Sequence, residues 1–159
     1  MNRDDIVELY DYNIWANGRI LGHLKTLPED VFHREVNLGF KSVADVIGHI
    51  AAADEVWLTR LEGSSPSSLA SKPFANVEEA ERSMHRIQSR IRQILSSVDD
   101  MEQPVIYRNT KGDEFRNSIS EIARHVVNHG TYHRGNVSTI LRALGHTGVQ
   151  TDYIAYLRK

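Results

Sequence analysis

Ser118-Ile119-Ser120-Glu121-Ile122-Ala123-Arg124-His125-Val126-Val127-Asn128-His129-Gly130-Thr131-Tyr132-His133-Arg134-Gly135-Asn136 opens the last long helix of this chain. Ser118 followed three positions later by Glu121 is a capping box, in which a hydroxyl and a carboxylate satisfy the free amides of a helix start. At about 100° per residue, Ile122, Ala123, Val126, Val137, Ile140, Leu141 and Leu144 all fall within roughly 60° of Ile119. Gly145 is a normal residue for the position just past the end. A helix with so continuous an apolar stripe must bury it against other helices.

His125, His129 and His133 recur every four residues on this helix. Side chains at that spacing stand one above another. Relative to the apolar stripe, His133 lies about 40° to one side, His129 about 80° and His125 about 120°. The first two therefore face the interior or its edge, and His125 turns further out. Two imidazoles so placed can share a metal ion, as the pair in H-E-x-x-H proteases does. Here Gly130 follows His129 where that class carries its glutamate base, which argues against a protease. A protonated imidazole facing a core is expensive, whereas a neutral, coordinated one is not. Histidines satisfied by hydrogen bonds within the core are the alternative, and the ordinary fate of a lone histidine.

Three more amphipathic helices precede this one. Ile6, Leu9, Tyr10, Asn13, Ile14, Asn17, Ile20, Leu21 and Leu24 recur at three- and four-residue steps from about Asp4 to Thr26, and Pro28 ends the run. Gly18 and Gly22 inside it are tolerable if another helix packs close there. Tyr12 and Trp15 read as packing residues. Residues 28–41 connect to a second helix opened by Ser42, with Asp45 as an imperfect capping box. Its inward stripe is Val43, Val46, Ile47, Ile50, Asp54, Trp57, Leu58 and Leu61, with His49 on the flank where it can face a groove. Gly63-Ser64-Ser65-Pro66-Ser67-Ser68 breaks the helix, and residues 63–75 read as a mobile loop. Asn76 with Glu79 starts a third helix carrying Val77, Ala80, Met84, Ile87, Ile91, Ile94, Leu95 and Val98, with His85 on its solvated side. Pro104 to Arg116, turning at Thr110-Lys111-Gly112-Asp113, reads as a short hairpin lying against the helices. The tail with Tyr153, Ile154, Tyr156 and Leu157 packs back as a short element.

Four such helices in 159 residues predict an all-α, single-domain four-helix bundle spanning 1–159. The long connections after the first and second helices argue against simple up-down-up-down order. The apolar and charged fractions, 40% and 25%, are those of a folded globular protein. With no cysteine, any metal site must use His, Asp or Glu. A net charge of −2 from 19 basic and 21 acidic residues, without runs of either sign, argues against nucleic-acid binding. No apolar run approaches membrane-spanning length, and the N-terminus lacks a signal-peptide core, so a cytoplasmic protein without membrane association is expected.

Tyr12-Asn13-Ile14-Trp15-Ala16-Asn17 with Arg19, Val46-Ile47-Gly48-His49-Ile50 through Trp57, and above all His125-Val126-Val127-Asn128-His129 continuing to His133-Arg134-Gly135-Asn136 and Leu141-Arg142-Ala143-Leu144-Gly145 resemble the DinB family, within the wider DinB/YfiT-like group of metalloenzymes. The resemblance covers nearly the whole chain. It implies an up-down-down-up bundle, often a homodimer, with one divalent metal, zinc or nickel, held by His49, His129 and His133. The helical wheel independently disfavours His125, which could instead orient a ligand.

A three-histidine site leaves a coordination position open for water or substrate. Such a metal lowers the pKa of what it binds and acts as a Lewis acid. The resemblance implies thiol-dependent transfer or hydrolysis, so the expected function is a metal-dependent enzyme transferring a small-molecule thiol. A non-catalytic, metal-stabilised dimeric bundle binding a ligand or partner, and a hydrolase, are the alternatives. No protein base is evident. Tyr12, Asn13, Asp54 and Tyr132 could approach the groove but read first as packing or surface groups, and Arg134 as a salt-bridge or capping residue.

Overall fold

The computed structural model describes residues 1–66, 68 and 70–159. Its long elements are α1 (Arg3–Leu24), α2 (Val43–Leu61), α3 (Val77–Ser97) and α4 (Ile119–Ala143), and α5 (Tyr153–Tyr156) is a single turn. A hairpin of β1 (Pro104–Arg108) and β2 (Glu114–Ser118) precedes α4, paired antiparallel with Ile106 opposite Arg116. Capping chemistry explains where each long helix begins. Ser42 and Asn76 accept from the amides of Asp45 and Glu79, and Ser118 and Glu121 form a complete capping box. The start of α1 has its own box, Asn2 with Asp5, which apolar periodicity alone did not reveal. Gly145, at φ +85°, takes the left-handed conformation that lets the chain turn away from α4.

Two apolar clusters reveal the order of the helices. One joins Ile20 and Leu24 of α1 to Val43 and Ile47 of α2, Val77 and Met84 of α3, and Val137 and Leu141 of α4. The other joins Ile6 and Tyr10 of α1 to Leu58 of α2, Ile87 and Leu95 of α3, and Ile119 and Val126 of α4. Thus α1 and α4 run from the second cluster to the first, whereas α2 and α3 run the opposite way. The bundle is up-down-down-up. Both α3 and α4 pack against α1 and against α2, leaving α1 and α2 across one diagonal and α3 and α4 across the other. Diagonal and parallel successors cannot be joined by tight turns, which is the physical reason for the long connections.

Two expectations change. Gly18 and Gly22 are exposed, and a Cβ at either would meet nothing within 4 Å. They lie about 160° around α1 from Ile20, on the side no helix covers. The segment 63–75 has no helix or strand among its described residues, and its end at Lys72 and Phe74 is fastened to the bundle; Ser67 and Leu69 lie outside the described residues. The Lys72 amide donates to the Gly48 carbonyl at 3.1 Å, and Phe74 is buried. Gly48 makes this approach possible, since a Cβ there would stand 2.2 Å from the Lys72 carbonyl oxygen.

The hairpin lies against the bundle as expected, with Tyr107 against Trp57. In the tail, Tyr156 is buried against Tyr12 and Trp15, while Ile154 and Leu157 stay exposed. No helix among the described residues is long and apolar enough to cross a membrane.

Candidate metal centre

The groove between α2 and α4 brings His49, His129 and His133 together. One ring nitrogen from each lies within 4.8 Å of the other two. The rings of His49 and His133 are 4.5 Å apart, and those of His129 and His133 are 4.4 Å apart. Nε2 of His49 and Nε2 of His129 face each other at 3.2 Å. Two lone pairs at that distance repel unless a proton or a cation stands between them.

His133 Nδ1 lies 3.0 Å from Oδ1 of Asn136, one turn further along α4. An amide oxygen only accepts, so Nδ1 carries the proton and Nε2 keeps its lone pair. A partner of this kind orients a metal-binding imidazole. Burial, then the neighbouring imidazoles of His133, His49 and His125, push His129 down to about 4. Burial also lowers His133, against the opposing bond from Asn136. The three-nitrogen donor set, neutral at His129 and His133 near pH 7, fits a borderline divalent ion such as zinc or nickel.

His125 stands outside the cluster, exposed and packed on Trp57 with ring centroids 5.0 Å apart. Desolvation, then the charge of Arg60, lowers its pKa. The outward progression from His133 through His129 to His125 thus follows the helical wheel. Phe40 packs on His49 and His133, and Tyr132 on His133 while remaining 70% exposed, so the rim is aromatic.

The model of the DinB family matches residues 1–159. The chain belongs to the DinB family. The protein DinB of Bacillus subtilis (strain 168) is 34% identical over 162 residues, covering 97% of this chain and 94% of that protein. The crystal structure of a DinB-like protein from Bacillus cereus ATCC 10987 superposes with a TM-score of 0.70 at 16% identity, covering 92% of this chain and 95% of that one. Family and histidine cluster together make this a DinB-family bundle with residues suited to hold a metal.

The α4 sequence beside the histidines has a second reason. Gly130 lies under a hydrogen bond joining α1 to α4, and a Cβ there would fall 2.6 Å from Asn13 Oδ1 and 2.8 Å from Arg134 Nη1. No protease-like glutamate fits this position without breaking that bond. Gly130→Ala should therefore destabilise the protein by about 3 kcal/mol, as overpacking and a disturbed buried hydrogen bond together do. Urea unfolding would show a lower midpoint with an unchanged slope, and an unaltered midpoint would refute the clash.

Arg134 corrects the salt-bridge or capping reading. It is 2% exposed and makes no ion pair among the described residues. Its guanidinium donates instead to Asn13 Oδ1 at 2.7 Å, Asn17 Oδ1 at 2.9 Å and Thr131 Oγ1 at 3.0 Å. Asn13 and Asp54 are also buried away from solvent. The signal was present as polar residues at inward positions of two helices, but only packing showed that they meet. Tyr12 donates its hydroxyl proton to the Thr151 carbonyl at 2.9 Å and serves to pin the tail.

Proposed function

We propose that the protein is a metal-dependent enzyme that transfers a small thiol to an electrophile. His49, His129 and His133 would hold one zinc or nickel ion, with Asn136 orienting His133. The observation that carries this reading is the convergence of three ring nitrogens within 4.8 Å, with His49 and His129 half-buried and His133 buried. A bound divalent ion supplies Lewis acidity, lowering the pKa of a thiol or water at an open coordination position. The thiol proton leaves to water, sulfur bonds to the electrophilic carbon, and the leaving group departs with its electron pair. The chain's own part is to supply neutral imidazoles and an aromatic wall of Phe40 and Tyr132 beside them.

A metal-stabilised binding bundle is the second reading. It is favoured by the lack of a carboxylate among the metal-ligating groups that converge here in the described residues. Zinc- or nickel-loaded protein, cysteine or another small thiol, and monochlorobimane decide between them. The transferase reading expects turnover above the uncatalysed rate that falls at least about 100-fold in His129→Ala. No acceleration by loaded protein across a panel of thiols and electrophiles leaves the binding reading.

A further inference from the structure

A polar layer crosses the bundle between its two apolar clusters. Asn13 and Asn17 of α1, Asp54 of α2, Gln88 of α3 and Arg134 of α4 compose it, each at most 4% exposed, with the fully buried Tyr10 beside them. Every helix leaves a buried polar atom here without a partner among the described residues: Tyr10 Oη, Asp54 Oδ2, Gln88 Nε2 and Arg134 Nε, besides Nδ2 of Asn13 and Asn17. Arg134 is the cation that acts on Asp54 most strongly, yet the two make no direct ion pair among the described residues.

Leaving so many groups unsatisfied would cost about 1–3 kcal/mol each. Donors outnumber acceptors, and water corrects that imbalance by accepting two protons and donating to a carboxylate. The layer shares a turn of α4 with the metal centre, because Gly130 follows His129 and Arg134 follows His133. Rotating α4 to re-aim those imidazoles would pull Arg134 off both asparagines of α1.

We propose that Arg134 is a positioning residue for the metal centre, acting through a layer of ordered water that bridges it to Asp54. The hydrogen bonds from Arg134 to α1 and the water bridge to α2 hold α4 at the rotation that aims His129 and His133 at His49. This inference rests on the metal-binding reading given above. It adds that the holding device lies inside the bundle, away from the ligands themselves.

Cobalt(II), whose d–d absorption reports coordination geometry, tests this in the parent, in Arg134→Lys, and in Asn13→Leu/Asn17→Leu/Arg134→Met. The triple variant removes Arg134 together with both of its acceptors on α1, so that none of the three is left unpaired, a change that can be nearly neutral for stability. The expected result is metal-free melting close to the parent, cobalt affinity reduced about tenfold or more with an altered d–d band, and partial recovery in Arg134→Lys. Asn17→Ser, which removes one anchor and leaves a hydroxyl for water, is measured alongside in case the triple variant fails to fold, with a smaller loss of affinity expected. Variants that fold and match the parent in affinity and band overturn the positioning role. A crystal structure of the parent showing the layer dry, or filled by a halide in bromide-soaked crystals, overturns the water bridge. Failure of the parent itself to bind cobalt would instead overturn the metal-binding reading, so the two failures are distinguishable.

Discussion

Protein reconstituted with zinc or nickel is expected to hold about one equivalent, and His129→Ala to bind it at least about 100-fold more weakly. The ligand atoms of the three histidines all lie within 4.8 Å of one another, so losing one removes a third of the donor set. Asn136→Ala should cost less, about 10- to 100-fold, because it frees the His133 ring without deleting it. Binding to the folded state alone also raises stability, by about 4 kcal/mol at a thousandfold excess over Kd. For a chain of this size that is a rise in melting temperature of roughly 10 °C. Calorimetry with and without a chelator should show this shift in the parent and none in His49→Ala/His133→Ala. A parent that holds no metal after reconstitution and melts identically with chelator would leave the histidines as structural residues.

The second large effect is a pH dependence centred on Asp54. Burial pushes its carboxyl up from 3.8 to about 7, against the opposing influence of Arg134 and of the Gln88 amide. The facing groups are Tyr10 from α1, Gln88 from α3 and Arg134 from α4. The folded protein holds this proton more tightly than the unfolded chain. Its stabilising contribution is therefore complete below pH ~4 and is lost as pH rises through about 7. The gap corresponds to on the order of 4 kcal/mol. His129 acts in the opposite sense, since its pKa is lowered to about 4. Its contribution is present above the ordinary histidine range, is lost as pH falls through about 4, and is reduced by partial exposure. The two slopes overlap, so Asp54 is isolated by subtracting the unfolding free energies of metal-free Asp54→Asn from those of the metal-free parent. That difference should decline by several kcal/mol from pH 4 to pH 8. A flat difference would mean that the layer fully compensates the buried carboxylate.

Much of this molecule follows from local pattern. Apolar residues at helical spacing, bounded by Ser42, Asn76 and Ser118 as caps, are enough to place α2, α3 and α4, because a cap bond and a helical stripe each span only a few residues. The angular offsets of His133, His129 and His125 belong to a single helix, and their burial follows in the same order. His49 was less legible. Spacing within α2 says only that it flanks the stripe, and its pairing with His129, eighty positions away, came from resemblance before the groove showed it.

What the sequence determined by itself was the identity, length and buried face of each long helix, since these depend on neighbours three or four residues apart. Tertiary structure alone decided which helices cross the diagonals, why residue 130 is glycine, and that Arg134 is buried among asparagines instead of serving as a salt-bridge or capping residue. Those facts depend on side chains more than a hundred positions apart meeting in one layer, where charge, burial and hydrogen bonding are settled by atoms no local pattern contains.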